Sequence, residues 1–291
     1  MDWSRAKTYL IITFLLLDML LGYQYYSAQQ KAQGYIQPFS VQMEELQGLL
    51  TERKMVLQTE VPKETPEMSF LQVSRPKRPT EEVVEKLFDE ARLIEDDKST
   101  GTMTFHTEQG EFRVTGQGFY TLQLSNPIPV QGGADTKTSQ LVRQAIGPLV
   151  NDIDLYREDL FFGSGKNVVF RYQQTYDEYP LFSGLLEVQL QNGGIIRYNQ
   201  KALTIGDEDS QQRRVLSAIN AVRSVAETFD PSTLPDGQEQ VFIRSIELGY
   251  YSPNYEDADE WYLAPMWRIV TDQHFYYVNA FTGQVESGMT P

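Results

Sequence analysis

Leu185-Leu186-Glu187-Val188-Gln189-Leu190-Gln191-Asn192-Gly193-Gly194-Ile195-Ile196-Arg197-Tyr198-Asn199-Gln200 is the stretch whose reading decides the fold. Two segments of mixed apolar and polar residues, 185–190 and 195–200, flank Asn192-Gly193-Gly194. Asn-Gly between such runs is the strongest short-range hairpin signal, because both turn residues must tolerate positive φ. The stretch therefore predicts two antiparallel strands.

Strand signals continue upstream. Residues 102–106, 112–115 and 119–124 alternate or carry aromatics, with turns at Gln109-Gly110 and at 116–118, as an antiparallel meander does. Residues 131–136 read as a loop and 139–150 as a helix interrupted near Gly147-Pro148. Residues 167–176 read as a strand. Thr80-Glu81-Glu82-Val83 opens a helix, with Val83, Val84, Leu87, Phe88 and Ala91 on one face.

Downstream, Val215, Ala218, Ile219, Val222 and Ala226 stand at helical spacing within 211–229, and Asp230-Pro231 ends that run. Residues 241–251 and 261–271 read as strands. Residues 275–278 and 284–286 read as a hairpin across Asn279-Ala280-Phe281-Thr282-Gly283. Each half thus runs helix, long strand, closing hairpin. The expected fold class is α+β, an ectodomain of two related antiparallel-sheet-plus-helix units, 80–205 and 206–291. Residues 27–79 precede them. There a polar stalk leads to a helix over 39–54 (Phe39, Met43, Leu46, Leu50), then short strands at Met55-Val56-Leu57 and 70–73, broken by Pro62 and Pro66.

The N-terminus is of another kind. After residues 1–7, which include Arg5 and Lys7, residues 8–26 are apolar apart from Asp18. Nineteen helical residues span about 28 Å, against roughly 30 Å of hydrocarbon. Two basic residues on the short side place that side in the cytoplasm, and Trp3, Tyr9, Tyr23, Tyr25 and Tyr26 fall at the two interfaces. The expectation is one transmembrane helix, N-terminus cytoplasmic, with the rest of the chain extracytoplasmic. A cleaved signal peptide shares the basic start, but no small-x-small cleavage site follows. Without cysteine there is no lipoprotein anchor.

Asp18 is the anomaly of that helix. Leu10, Ile11, Ile12, Phe14, Leu15, Leu16, Leu17, Leu20 and Leu21 contribute roughly −3 to −5 kcal/mol to insertion, while a central aspartate costs about 2.5–3.5 kcal/mol. Insertion is then only marginally favourable, so whatever satisfies Asp18 matters. Gly22 follows one turn on, and Phe14 and Leu15 lie one turn back on the same side. An acid beside a glycine reads as a packing seam between helices. Protonation or local thinning of the bilayer is the plainer explanation.

Composition narrows the chemistry. Net charge is −15 and Asp2, Arg5, Lys7 and Asp18 cancel, so residues 27–291 carry all of it. Phosphate recognition needs a basic surface, so nucleic acid is excluded as a partner. The chain holds no cysteine, which removes disulfides, thiol nucleophiles and cysteine metal sites. Aromatics make up 12%, in keeping with β-rich structure.

No catalytic constellation stands out. His106 and His274 lack metal-ligand partners at usable spacing. Gly163-Ser164-Gly165-Lys166 lacks the leading glycine and trailing hydroxyl of a phosphate loop, and reads as a turn. The acidic clusters Asp152/Asp154/Glu158/Asp159, Asp207/Glu208/Asp209 and Glu256/Asp257/Asp259/Glu260 match no calcium loop and read as solvated. The expectation is a protein that is not an enzyme, with no cofactor and no metal. Tyr172, Tyr176, Tyr179, Phe182, Tyr250, Tyr251, Tyr255, Trp261, Tyr262 and Trp267 divide between core pairs and contact anchors.

The opening Met1-Asp2-Trp3-Ser4-Arg5-Ala6-Lys7, the run Ile11-Ile12-Thr13-Phe14-Leu15-Leu16-Leu17-Asp18 and the exit Leu21-Gly22-Tyr23-Gln24 resemble the YycI (WalI) family, as does the closing Tyr277-Val278-Asn279-Ala280-Phe281-Thr282-Gly283. The resemblance covers the chain in layout, and its distinctive residues lie in the first 25. It implies a single-pass protein of low-GC Gram-positive bacteria with a non-catalytic α+β ectodomain. The implied partners are a sister regulator like YycH and the WalK/YycG-like sensor histidine kinase of a two-component system governing cell-wall metabolism. It further implies that the membrane helix contacts the kinase, which places Ile11, Phe14, Leu15, Asp18, Leu21 and Gly22 on the seam. A second reading is an anchored module that binds a wall-related peptide or glycan, its helix a passive tether.

Overall fold

The decisive hairpin forms in the computed structural model as the sequence requires. Asn192 and Gly193 have φ of 53° and 80°, and Gln191 pairs with Gly194 across them. Two positive-φ residues make the primed turn whose twist matches its strands. The structure describes Phe14, Leu17 and residues 38–76, 80–116, 118–208, 211–235, 237–253 and 258–287. The chain divides into two compact units, Met1–Gly48 and Leu49–Pro291.

The helices are α1 (Phe39–Glu52), α2 (Thr80–Leu87), α3 (Thr136–Ile146) and α4 (Ala218–Thr228). The first strands are β1 (Met55–Leu57), β2 (Glu67–Met68), β3 (Leu71–Ser74), β4 (Ala91–Asp97), β5 (Thr102–Thr107), β6 (Gly110–Thr115) and β7 (Phe119–Pro129). Next come β8 (Tyr156–Ser164), β9 (Asn167–Tyr176), β10 (Tyr179–Gln191), β11 (Gly194–Lys201), β12 (Thr204–Glu208) and β13 (Arg213–Arg214). The last are β14 (Val241–Tyr251), β15 (Glu260–Thr271), β16 (Phe275–Asn279) and β17 (Val285–Ser287). The protein is a sheet-rich α+β structure.

Among the described residues of the second compact unit, two strand arrays join into one sheet, and β2 pairs with β13 in a separate small one. One array runs β8-β9-β10-β11-β7-β6-β5-β4. On one face of it, Val83 and Val84 of α2 and Val142 and Ile146 of α3 share a core with Phe112, Leu122, Phe170, Leu186 and Tyr198. Each such fully buried apolar side chain contributes roughly 1.5–3 kcal/mol. Asp135 fixes where α3 begins: its carboxylate accepts from the Thr138 N–H at 2.8 Å, which holds its pKa below the ordinary value.

The other array runs β12-β3-β15-β14, with β16 and β17 continuing from β15. The buried face of α4 is Ala218, Ile219, Ala221, Val222, Val225 and Ala226. Strands β1 and β3, which the sequence groups with the stalk in 27–79, are woven into this array. β1 pairs with β14 in parallel, and β3 pairs with β15. Both arrays meet where Leu181 of β10 pairs in parallel with Tyr250 of β14. Gly249 permits that crossing: a Cβ there would lie 2.5 Å from the Pro180 carbonyl oxygen and 2.7 Å from the Phe182 ring. This corrects the expectation of purely antiparallel sheets: β14 takes parallel partners in β1 and β10.

Three local expectations change. Ala91 begins β4 instead of extending α2, which ends at Leu87. Strands β4 and β8 have no counterpart in the sequence reading. Helix α4 begins at Ala218 and not at 211, because the Val215 and Leu216 amides donate to the carbonyls of Pro66 and Ala280. Ser217 then caps the helix, accepting from the Asn220 N–H.

Candidate functional site

The expected membrane seam lies almost wholly outside the described residues. Ile11, Leu15, Asp18, Leu21 and Gly22 belong to that undescribed part. Phe14 is described: it is helical and 58% exposed. Among the described residues no helix is long and apolar enough to cross a membrane.

The described chemistry concentrates at the seam between the two sheet arrays. Its centre is Arg268 of β15, whose side chain is 2% exposed. Its Nη1 and Nη2 donate to the two carboxylate oxygens of Asp159 on β8, at 2.9 and 2.5 Å. Nη2 also donates to Glu247 of β14 at 2.8 Å, and Arg157 pairs with the same Glu247. The guanidinium lies 4.6 Å over the Phe182 ring of β10. Burial opposes its charge, but the hydrogen bond and charge of Asp159, with Glu247, hold its pKa above the ordinary value. One cation thus ties strands of both arrays together. Asp159, expected in a solvated cluster, is 5% exposed and paired.

Beside this network Phe182, Met266, Val270, Phe275 and Tyr277 form a separate apolar cluster. It borders a cleft of about 340 Å3. Arg171 of β9 lies at its edge, its Nε and Nη2 donating to Glu187 Oε1 at 3.0 and 2.8 Å. Its guanidinium sits 4.6 Å over Phe162 and 5.8 Å over Phe275. Tyr251 and Tyr277 stack with centroids 4.1 Å apart, and burial pushes the Tyr277 hydroxyl up to about 12. That phenol stays neutral across the physiological range.

The other sequence candidates fall elsewhere. His106 sits exposed on β5, and His274 meets Tyr276 edge-on in the turn before β16. Gly163 and Gly165, with φ of 98° and 63°, shape the β8–β9 turn. Asp152 pairs with Lys86 at 2.7 Å, and Asp259 lies at the surface facing Arg75. The side chains of Asp207 and Glu208, and all of Asp209, Glu256 and Asp257, lie outside the described residues. Among the described residues no group of three or more His, Asp or Glu is placed to hold a metal. Of the aromatic candidates, Tyr172, Phe182, Tyr250, Trp261 and Trp267 are buried, while Tyr262 is 56% exposed. Tyr255 lies outside the described residues.

The family described as YycI protein matches residues 37–281. The chain belongs to the YycI family. The family is an accessory regulatory one, not known for catalysis, and membership points to regulation of a two-component system. Among solved structures, an uncharacterized protein from Eubacterium rectale superposes on this chain with a TM-score of 0.55 at 8% identity. The alignment covers 85% of this chain and 99% of that one, and at such identity it speaks for the fold alone. The Bacillus megaterium YpeB C-terminal domain superposes with a TM-score of 0.41 at 9% identity, over 75% of this chain and 99% of that one. No curated protein matches the sequence.

Proposed function

We propose that this YycI-family chain is a membrane-anchored, non-catalytic regulator of a WalK/YycG-like sensor histidine kinase that controls cell-wall metabolism. In this reading residues 8–26 cross the membrane once, with the N-terminus cytoplasmic and the two related sheet-and-helix units extracytoplasmic. The helix packs against the kinase along Ile11, Phe14, Leu15, Asp18, Leu21 and Gly22, and the ectodomain binds a YycH-like sister protein. A shift in helix packing moves the kinase between signalling states. The observation that carries the reading is the family match over residues 37–281. The acid-bearing apolar run at 8–26 supports the membrane part of the reading.

Replacing residues 8–26 with an unrelated membrane anchor tests this. Loss of kinase control with a normally folded ectodomain is expected. Full control by the chimera would favour the second reading, a tethered module that binds a wall-related ligand.

A further inference from the structure

We infer that the cleft at the seam of the two arrays binds a small carboxylic acid carrying a hydrogen-bond donor beside its carboxylate, with Arg171 receiving the carboxylate. This does not rest on the regulatory reading, since it is carried by the cleft alone.

Arg171 is held ready for an anion. Phe162 and Phe275 fix the guanidinium plane, and Glu187 engages only the Nε–Nη2 edge, through one oxygen. Among the described residues Nη1 meets no acceptor, which leaves the Nη1–Nη2 edge for a carboxylate. A guanidinium matches that planar group with two parallel hydrogen bonds. Lys201 lines the same cleft, its Nζ 5.4 Å from the Phe119 ring.

Two further lining residues point to a ligand. Gln173 and Ser183 are 1% and 5% exposed, and Gln173 Oε1 and Ser183 Oγ have no hydrogen-bond partner. A buried polar atom left without a partner is destabilising. A Gln acceptor and a Ser hydroxyl call for N–H or O–H groups on whatever fills the cleft. Glu187 keeps its second oxygen for another donor. The Tyr251–Tyr277 stack supplies a flat apolar wall. A volume of about 340 Å3 accommodates a body the size of a dipeptide or an amino sugar, at the small end of ligand sites. Two sources share this chemistry, the free end of a short peptide and an N-acylated sugar acid.

The test is calorimetric titration of the full chain in detergent micelles with D-alanyl-D-alanine and with N-acetylmuramate. D-alanyl-D-alaninamide and N-acetylglucosamine serve as analogues without the carboxylate. Saturable binding of one acid is expected, with at least about tenfold weaker binding of its uncharged analogue. Which acid binds identifies the source. Arg171→Gln is expected to weaken binding by a similar factor, whereas Arg171→Lys keeps the charge and loses only part of the affinity. Ser183→Ala keeps the fold and removes a hydroxyl, so it weakens binding independently of any folding defect in the Arg171 variants. Failure of both acids to bind, equal binding of acids and analogues, or full affinity in Arg171→Gln overturns the inference.

Discussion

Arg268 carries a charge almost wholly removed from water, and it survives there because Asp159 and Glu247 answer it. Removing one member of such a group leaves an uncompensated buried charge, which costs about 3–5 kcal/mol. Arg268→Met is therefore expected to lower the urea midpoint steeply. The double variant Arg268→Met with Asp159→Leu removes both charges and should recover much of the loss, because apolar groups of similar volume replace a buried pair with little net cost. Equal destabilisation of single and double variants would show that packing, and not charge, dominates the seam. The sequence did not disclose this partnership. Asp159 stands beside Glu158 and near Asp152 and Asp154, a run that looks solvated, while its partner lies 109 positions away. A buried arginine within the apolar strand β15 was the one available signal.

Local sequence made the closing hairpins and the starts of α1 and α2 readable, but not those of α3 and α4. Asn192-Gly193 announced its turn in composition. Asp177-Glu178, with φ of 47° and 71°, makes the same kind of turn between β9 and β10 without glycine, so no composition signal marked it. Strand β4 was hidden because all but its last residue are exposed, leaving no alternation to find. The start of α4 was misread because Val215 continues the helical spacing, yet its amide is satisfied by Pro66 from another part of the chain. The parallel contacts of β14 with β1 and β10 are likewise non-local, and periodicity within a strand says nothing about its neighbour. The dependence of the β10–β14 crossing on Gly249 is open to experiment. Gly249→Ala sets a methyl group against the Pro180 carbonyl, which must shift, at a cost of about 1–3 kcal/mol. A fall in the unfolding temperature with the α2–α3 core spectroscopically intact is expected. An unchanged unfolding temperature would mean that the β10–β14 crossing bears little of the stability.

At the scale of the molecule, the family was legible from residues 1–25 and the sheet-rich α+β class from strand patterning. The cleft was not, since its lining comes from strands spread between residues 119 and 277 and forms only when the two arrays meet. The regulatory proposal depends on another part of the sequence, the apolar run with Asp18 near its middle. A helix there would set Ile11, Phe14, Leu15, Asp18, Leu21 and Gly22 on one side and Thr13, Leu16 and Leu20 on the other. Photocrosslinkers placed singly at these positions in intact membranes interrogate that contact directly. Adducts with the sensor kinase from Phe14, Asp18 and Leu21, and none from Thr13, Leu16 and Leu20, are the result the proposal requires. Equal yield from both sides, or a mature chain that has lost its first thirty residues and still controls the kinase, would contradict it.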